Sequence, residues 1–243
     1  MPGFPRGVVD GEGRRAVVYD RGGTLIALDP ATGAVRWRHG SGLRPCALLT
    51  GGGSEGAVVA LDFETSRAPR VTVLDAATGE ERRTSAELVL PEWVRPTLHD
   101  SAGFTVSTEE EGDDRLVIRW SARASYGGGA PPSPRAAAEE AREAYGALRV
   151  DLSGDRPSVR PLTEPAARPP PPPGAPAPGP SVLGPDVLEY ALVGGLRVEL
   201  AARAGGGGES EVVLRAVEPR TGAPVWELVL DRTVESRARR FRP

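Results

Sequence analysis

The chain has no lysine and no asparagine, one cysteine, two histidines, and aromatic residues at only 5% of its 243 positions. Each shortage removes a class of function. A single thiol, Cys46, rules out an intramolecular disulfide, so cysteine usage does not place the chain in an oxidising compartment. His39 and His99 sit in no Gly-x-Ser-x-Gly or His-Glu-x-x-His frame, so neither is set up as a catalytic base or zinc ligand. Both read as surface or packing residues, and Cys46 reads as a small buried residue opening an inner strand. The glycine clusters lack the Gly-Lys-Ser/Thr of a phosphate loop and read as hairpin turns. No run of about 18 apolar residues is present, so no spanning helix is expected. Met1 to Arg6 carries no apolar signal segment, and the chain as written is expected to be cytoplasmic unless it is a mature or truncated form. A net charge of −3 argues against broad nucleic-acid binding. All basic residues being arginine, in an Ala-, Gly- and Pro-rich chain, reads as codon bias.

What the chain has is a repeated turn. Gly23 to Trp37 reads as strand, tight turn, strand. Pro30 presets one corner, Gly33 supplies a positive φ, and Asp29 and Thr32 offer oxygens to the turn's own N–H groups. Leu74 to Gly79 copies Leu28 to Gly33 with one change, bringing Asp75, Thr78 and Gly79 into the same places. Val217 to Gly222 copies it with Glu218 for Asp, keeping Thr221 and Gly222. Trp226 follows Gly222 at the interval by which Trp37 follows Gly33. Val150 to Gly154 is a worn copy. The interval from Gly33 to Gly79 matches a four-stranded propeller blade of roughly 40–50 residues.

The expected fold is therefore all-β and propeller-like, with about four four-stranded blades at residues 7–39, 46–86, 103–162 and 186–230. Two insertions interrupt it. Residues 126–145 are expected to hold a helix, because Ser133 can cap it, Ala136 to Ala144 are strong helix formers, and Gly146 can end it. Residues 163–185 contain five consecutive prolines and form a proline-rich loop, since proline donates no ladder hydrogen bond. Glu109 to Asp114 reads as a solvated hairpin tip rather than a calcium loop, whose spacing it does not match.

The residues Ala27, Asp29, Thr32, Gly33 and Trp37 match the Ala-x-Asp-x-x-Thr-Gly-x-x-x-Trp signature of the pyrroloquinoline-quinone-type β-propellers, which the chain resembles. The second copy departs from it with Val73 and Arg83, the last with Glu218. The resemblance implies that each tryptophan packs between neighbouring blades. It also raises a quinone-dependent dehydrogenase. Such enzymes have about twice as many blades, a metal held by Glu, Asn and Asp, and an adjacent cysteine pair. This chain has no asparagine and no such pair, so no cofactor, metal or catalytic residue is expected, and the function is expected to be non-enzymatic.

The expected role is a binding or scaffold propeller that uses one loop-rich face for a protein or small-ligand partner. Tyr126, Arg135, Glu139, Arg142 and Tyr145 are the candidate partner-binding residues of the insertion. The alternatives are a half or fragment of a larger propeller, completed by a homodimer or a missing half, or a remnant of a dehydrogenase. Blades of this repeat are wedged for a larger ring, so four make either a tight ring or an open arc. An open arc would leave blades one and four each with a bare apolar face.

Overall fold

The computed structural model describes residues 4–50, 56–63, 68–94, 96–98, 104–112, 114–123, 143–153, 157–162, 186–204 and 209–234. They form four antiparallel sheets of four strands, each running in simple sequence order. Blade one is β1 Gly7–Val9, β2 Ala16–Tyr19, β3 Leu25–Leu28 and β4 Val35–His39. Blade two is β5 Leu43–Leu49, β6 Ala57–Asp62, β7 Arg70–Asp75 and β8 Glu81–Glu87. Blade three is β9 Phe104–Glu110, β10 Arg115–Arg123, β11 Glu143–Asp151 and β12 Ser158–Pro161. Blade four is β13 Val187–Val193, β14 Leu196–Ala204, β15 Glu209–Val217 and β16 Pro224–Val234. This is the sheet architecture of a β-propeller, radially repeated.

The second strands show which blades are interior. β6 is apolar from Ala57 through Leu61 and fully buried there. Val58 and Ala60 pack toward blade one, while Ala57, Val59 and Leu61 pack toward blade three. β2 behaves likewise: Val17 joins the core shared with blade two, and Ala16 and Val18 join a core shared with blade four. A strand covered on both faces has no need of a polar alternate. β10 and β14 do alternate. In β10, Leu116, Ile118, Trp120 and Ala122 enter the core with blade two, and Arg115, Arg119, Ser121 and Arg123 take the other face. In β14, Val198 and Leu200 enter the core with blade one, and Arg197, Glu199 and Arg203 take the other face.

The blades therefore stand in the spatial order four, one, two, three. Blades one and four, which an open arc in chain order would leave bare, share a core. Among the described residues, no hydrophobic cluster joins blade three to blade four. The faces without a neighbouring core belong to blades three and four, and there ion pairs lie among buried apolar residues such as Val117, Ala147, Ala201 and Val213. Arg119 meets Glu109 at 3.3 Å, and Arg123 Nε meets Glu143 at 3.0 Å. On blade four, Glu199, only 1% exposed, accepts from Arg197 at 2.6 Å and from Arg215 at 2.9 Å. Glu211 accepts from Arg203 and Arg232. Polar outer faces are how repeat arrays end without exposing a core.

The contact between blades four and one is latched at one point. Asp231 of β16, nearly buried, accepts from the Arg6 guanidinium and from the Arg21 backbone N–H at 2.6 Å. One carboxylate thus ties the last strand to two loops of the first blade, with charge-assisted bonds.

The blades are also joined by tryptophan. Trp37 of blade one donates its indole N–H to Ala76 O of blade two at 3.0 Å, and its ring covers Gly79. Trp226 of blade four donates to Pro30 O of blade one at 2.9 Å, and its ring covers Gly33. Between blades two and three, where the repeat has Arg83 in that place, Phe104 and Trp120 stack inside the shared core with centroids 6.1 Å apart.

Two readings of the sequence are corrected. Glu143 to Gly146, assigned to the end of a helix, are the first residues of strand β11, paired with Arg123 to Trp120 of β10. Gly146 is not a helix stop: it lies opposite Trp120, and a β-carbon there would collide with the indole. The remainder of the expected helix lies outside the described residues, as do the proline-rich loop and His99. Cys46 does not open its strand either. β5 begins at Leu43, and Cys46 sits mid-strand at a bulge between Pro45 and Ala47.

Gly79 and Gly222 make a matched pair for testing the tryptophan contact. Both have positive φ, 74° and 71°. A β-carbon on Gly79 would come within 2.7 Å of the Trp37 ring, whereas one on Gly222 would meet nothing within 4 Å. Gly222→Ala is expected to cost about 1–2 kcal/mol, the left-handed penalty alone. Gly79→Ala is expected to cost about 2–5 kcal/mol, because displacement of the indole adds to it. Urea unfolding of the two variants measures the difference; equal losses would show that the indole does not constrain the turn.

Candidate functional site

The three turn copies have the same internal geometry. Asp29 Oδ1 accepts from the N–H of Ala31 at 2.9 Å and Thr32 at 3.2 Å, and Thr32 Oγ1 accepts from Ala34 N at 3.3 Å. Asp75 takes Ala77 at 2.9 Å and Thr78 at 3.0 Å, while Thr78 takes Glu80 N at 3.2 Å. Glu218 takes Arg220 at 3.0 Å and Thr221 at 2.5 Å, while Thr221 takes Ala223 N at 3.2 Å. The glycine N–H closes each turn on the carbonyl of the acidic residue, at 2.8–2.9 Å. The Oδ1 or Oε2 of the acidic residue, the threonine hydroxyl and the glycine N–H of the motif are thus spent on its own turn, and Trp37 and Trp226 are spent on the neighbouring blade. These residues are brought together in turns and blade contacts, and not around a common cavity.

The acidic turn residues titrate accordingly. Partial burial would raise the Asp75 carboxyl, but the Arg82 guanidinium and the N–H groups of Thr78 and Ala77 outweigh it and hold it below the usual range. The Ser153 hydroxyl and N–H do the same for Asp151, helped by Arg115. Thr221 does it for Glu218.

The chemistry expected of a catalytic centre does not assemble here. Burial pushes the Cys46 thiol up to about 11, with Arg44 working weakly against it, so it stays protonated at neutral pH and is a poor nucleophile. Its sulfur lies 3.7 Å from Arg44 O. His39 ends β4, paired with Leu25. Among the described residues, no group of three or more His, Cys, Asp and Glu could hold a metal ion. In the acidic hairpin tip, Glu109 and Glu111 are each committed to a different arginine, Arg119 and Arg149.

Of the candidate partner-binding residues, Tyr126, Arg135, Glu139 and Arg142 lie outside the described residues. Tyr145 is corrected from the insertion to strand β11, opposite Ser121, with its hydroxyl bonded to Glu143. That places it on the ion-paired face of blade three. Its assignment to the insertion followed from reading Glu143 to Gly146 as helix.

The strand order fixes where the long connections leave. In an antiparallel sheet of four strands, the second-to-third loop and the crossover to the next blade emerge on one side. Residues 124–142, 88–103 and 162–186 are all connections of these kinds. The third-to-fourth turns with the Asp-x-x-Thr-Gly motif emerge on the other.

Comparison with known proteins bears on the repeat. A family model of the PQQ-like repeat, described as outer membrane protein assembly factor BamB, matches residues 2–84 and again 21–118. The overlapping windows are what a repeat produces when its unit is shifted along the chain. Residues 2–118 are thus similar to the PQQ-like repeat family. A search of curated proteins finds no significant match. Among solved structures, BamB from Moraxella catarrhalis is similar over 91% of this chain and 60% of that one, at 15% identity and a TM-score of 0.37. The chain thus spans about 60% of the length of that structure. The PQQ-like windows end within β10, so the turn of blade four, with Glu218 in place of Asp, is identified by its geometry.

The depressed carboxyls predict an acid response. An unfolded Asp titrates near 3.9, and a folded-state value below that adds stability which is complete above it and lost as the pH falls through the folded value. Asp75→Asn removes this contribution. At neutral pH the variant is expected to melt below the parent, and the gap is expected to close as the pH falls below about 4. Thermal melts from neutral to acidic pH measure it; a gap of constant size would show that the Asp75 charge plays no part.

Proposed function

We propose that the chain is a non-catalytic scaffold that holds a protein partner on the side carrying the long connections. The observation that carries the reading is the asymmetry of the blades. One side has the motif turns and the short first-to-second connections, such as 10–15 and 50–56, and the other has residues 88–103, 124–142 and 162–186. Long loops on a rigid scaffold are where binding concentrates. The match of the first two blades to a family described as an outer membrane protein assembly factor supports a role among proteins rather than on a small substrate. The protonated, inert Cys46 and the fully committed turn residues support a role without catalysis. Completion of a ring by a second copy stacked on blades three and four is disfavoured by their charged faces, because dehydrating ion pairs costs more than the attraction returns unless geometry is excellent.

Arg123 and Glu143 are paired at the mouth of the β10–β11 hairpin, so residues 125–141 can be replaced by a short glycine-serine turn without disturbing the sheet. Cross-linking in the source cells, read by mass spectrometry, is expected to place partner cross-links on the long-connection side. The shortened variant is expected to keep its melting temperature and lose those cross-links. Cross-links concentrated on the Asp-x-x-Thr-Gly side, or a quinone absorbance band in the purified protein, would overturn the proposal.

A further inference from the structure

The free face of blade three contains an arrangement that costs stability as it stands. Arg149 of β11 lies directly opposite Arg160 of β12. Their neighbours Leu148, Val150 and Val159 pack into the core with blade two, so both arginines take the other face. Like charges directly opposite each other destabilise an antiparallel pair. Arg115 of β10 adds a third guanidinium nearby, opposite Asp151.

The carboxylates present do not balance these charges. Glu111 holds Arg149 through Nε at 2.8 Å and Nη2 at 3.1 Å. Asp151 meets Arg115 Nε at 3.1 Å and is already bonded to the Ser153 hydroxyl and N–H. Arg160 has no acidic partner among the described residues. The three arginines, with Asp151 and Ser158, line a cavity of about 360 Å³. Three guanidiniums thus face one space against two carboxylates. Both carboxylates engage Nε edges, which leaves Nη1 of Arg149 and the whole Arg160 fork outside those ion pairs.

We propose that this cavity binds a phosphate monoester. Guanidinium forks match phosphate oxygens in geometry and charge, and the Ser158 hydroxyl adds a further donor. A dianion between Arg149 and Arg160 turns their repulsion into two attractions, and the volume leaves room for the organic part of an ester. The polar groups of the site are independent of the protein-binding side: its arginines and Ser158 lie on strands β10, β11 and β12, and Leu162, the first residue of a long connection, only lines the wall.

The test pairs ligand response with intrinsic stability. With about 10 mM glycerol 3-phosphate at fixed ionic strength, the parent is expected to melt about 2–4 °C higher. Arg220→Gln, on an exposed turn of blade four, is expected to keep that rise. Arg160→Gln is expected to lose it, while its ligand-free melting temperature equals or exceeds that of the parent, because the like-charge pair is gone. Cosedimentation with phosphatidylcholine vesicles containing phosphatidic acid, lost in Arg160→Gln, without response to the soluble ester would place the phosphate on a lipid headgroup. No response to either probe, a response retained in Arg160→Gln, or a lower ligand-free melting temperature for Arg160→Gln would overturn the site.

Discussion

An indole laid across a left-handed glycine is the contact on which the arrangement of blades four, one and two depends. The turn must place a glycine at positive φ, because any β-carbon there would meet the tryptophan ring. The acidic residue and threonine of the same turn must satisfy its N–H groups, since the indole takes up the space above it. The indole N–H then finds a carbonyl within the same turn, Ala76 for Trp37 and Pro30 for Trp226. Motif, turn and blade packing are thus coupled where the indole is present, at Gly33 and Gly79. At blade four the glycine is kept but nothing lies over it, which marks that blade as an end of the array.

The turns were legible in the sequence because their hydrogen bonds are local. Asp29 and Asp75 reach N–H groups two and three residues away, so the pattern is written in a six-residue window. The order of the blades in space is not local, yet it has a trace. Ala57 to Leu61 is apolar throughout, and Arg115 to Arg123 alternates, and the difference reports two covered faces against one. The error at Glu143 to Gly146 has the same root. Alanine and glutamate favour helix locally, whereas the pairing with β10 and the need to clear Trp120 are set by a strand far away in sequence. The arginine site left no sequence signal at all. Arg115, Arg149 and Arg160 fall in three separate strands and meet only through register.

The two blades at the ends of the array solve one problem in different ways. Blade four buries Glu199 and Arg197 almost completely, with Glu199 shared between Arg197 and Arg215. Burial works against the charge on Arg215, and Glu199 and Asp186 outweigh it, holding the guanidinium above the usual arginine range. Blade three leaves its arginines open to solvent and one of them without an acid. A closed network is suited to ending a stack, and an open one has valence left over for a ligand.

The pairing of the first blade with the last also shapes how the chain is made. Ala16, Val18, Ile26 and Leu28 leave the ribosome early, but the Leu214, Ala216 and Leu230 they pack against come at the far end. At ordinary elongation rates the delay is about ten to forty seconds. Throughout it, blade one lacks the partner that covers this apolar sheet face. Such long-range closure slows folding and invites association with other nascent chains. The latch at Asp231 is the last of these contacts to become available, so the first blade is held only once β16 has been made.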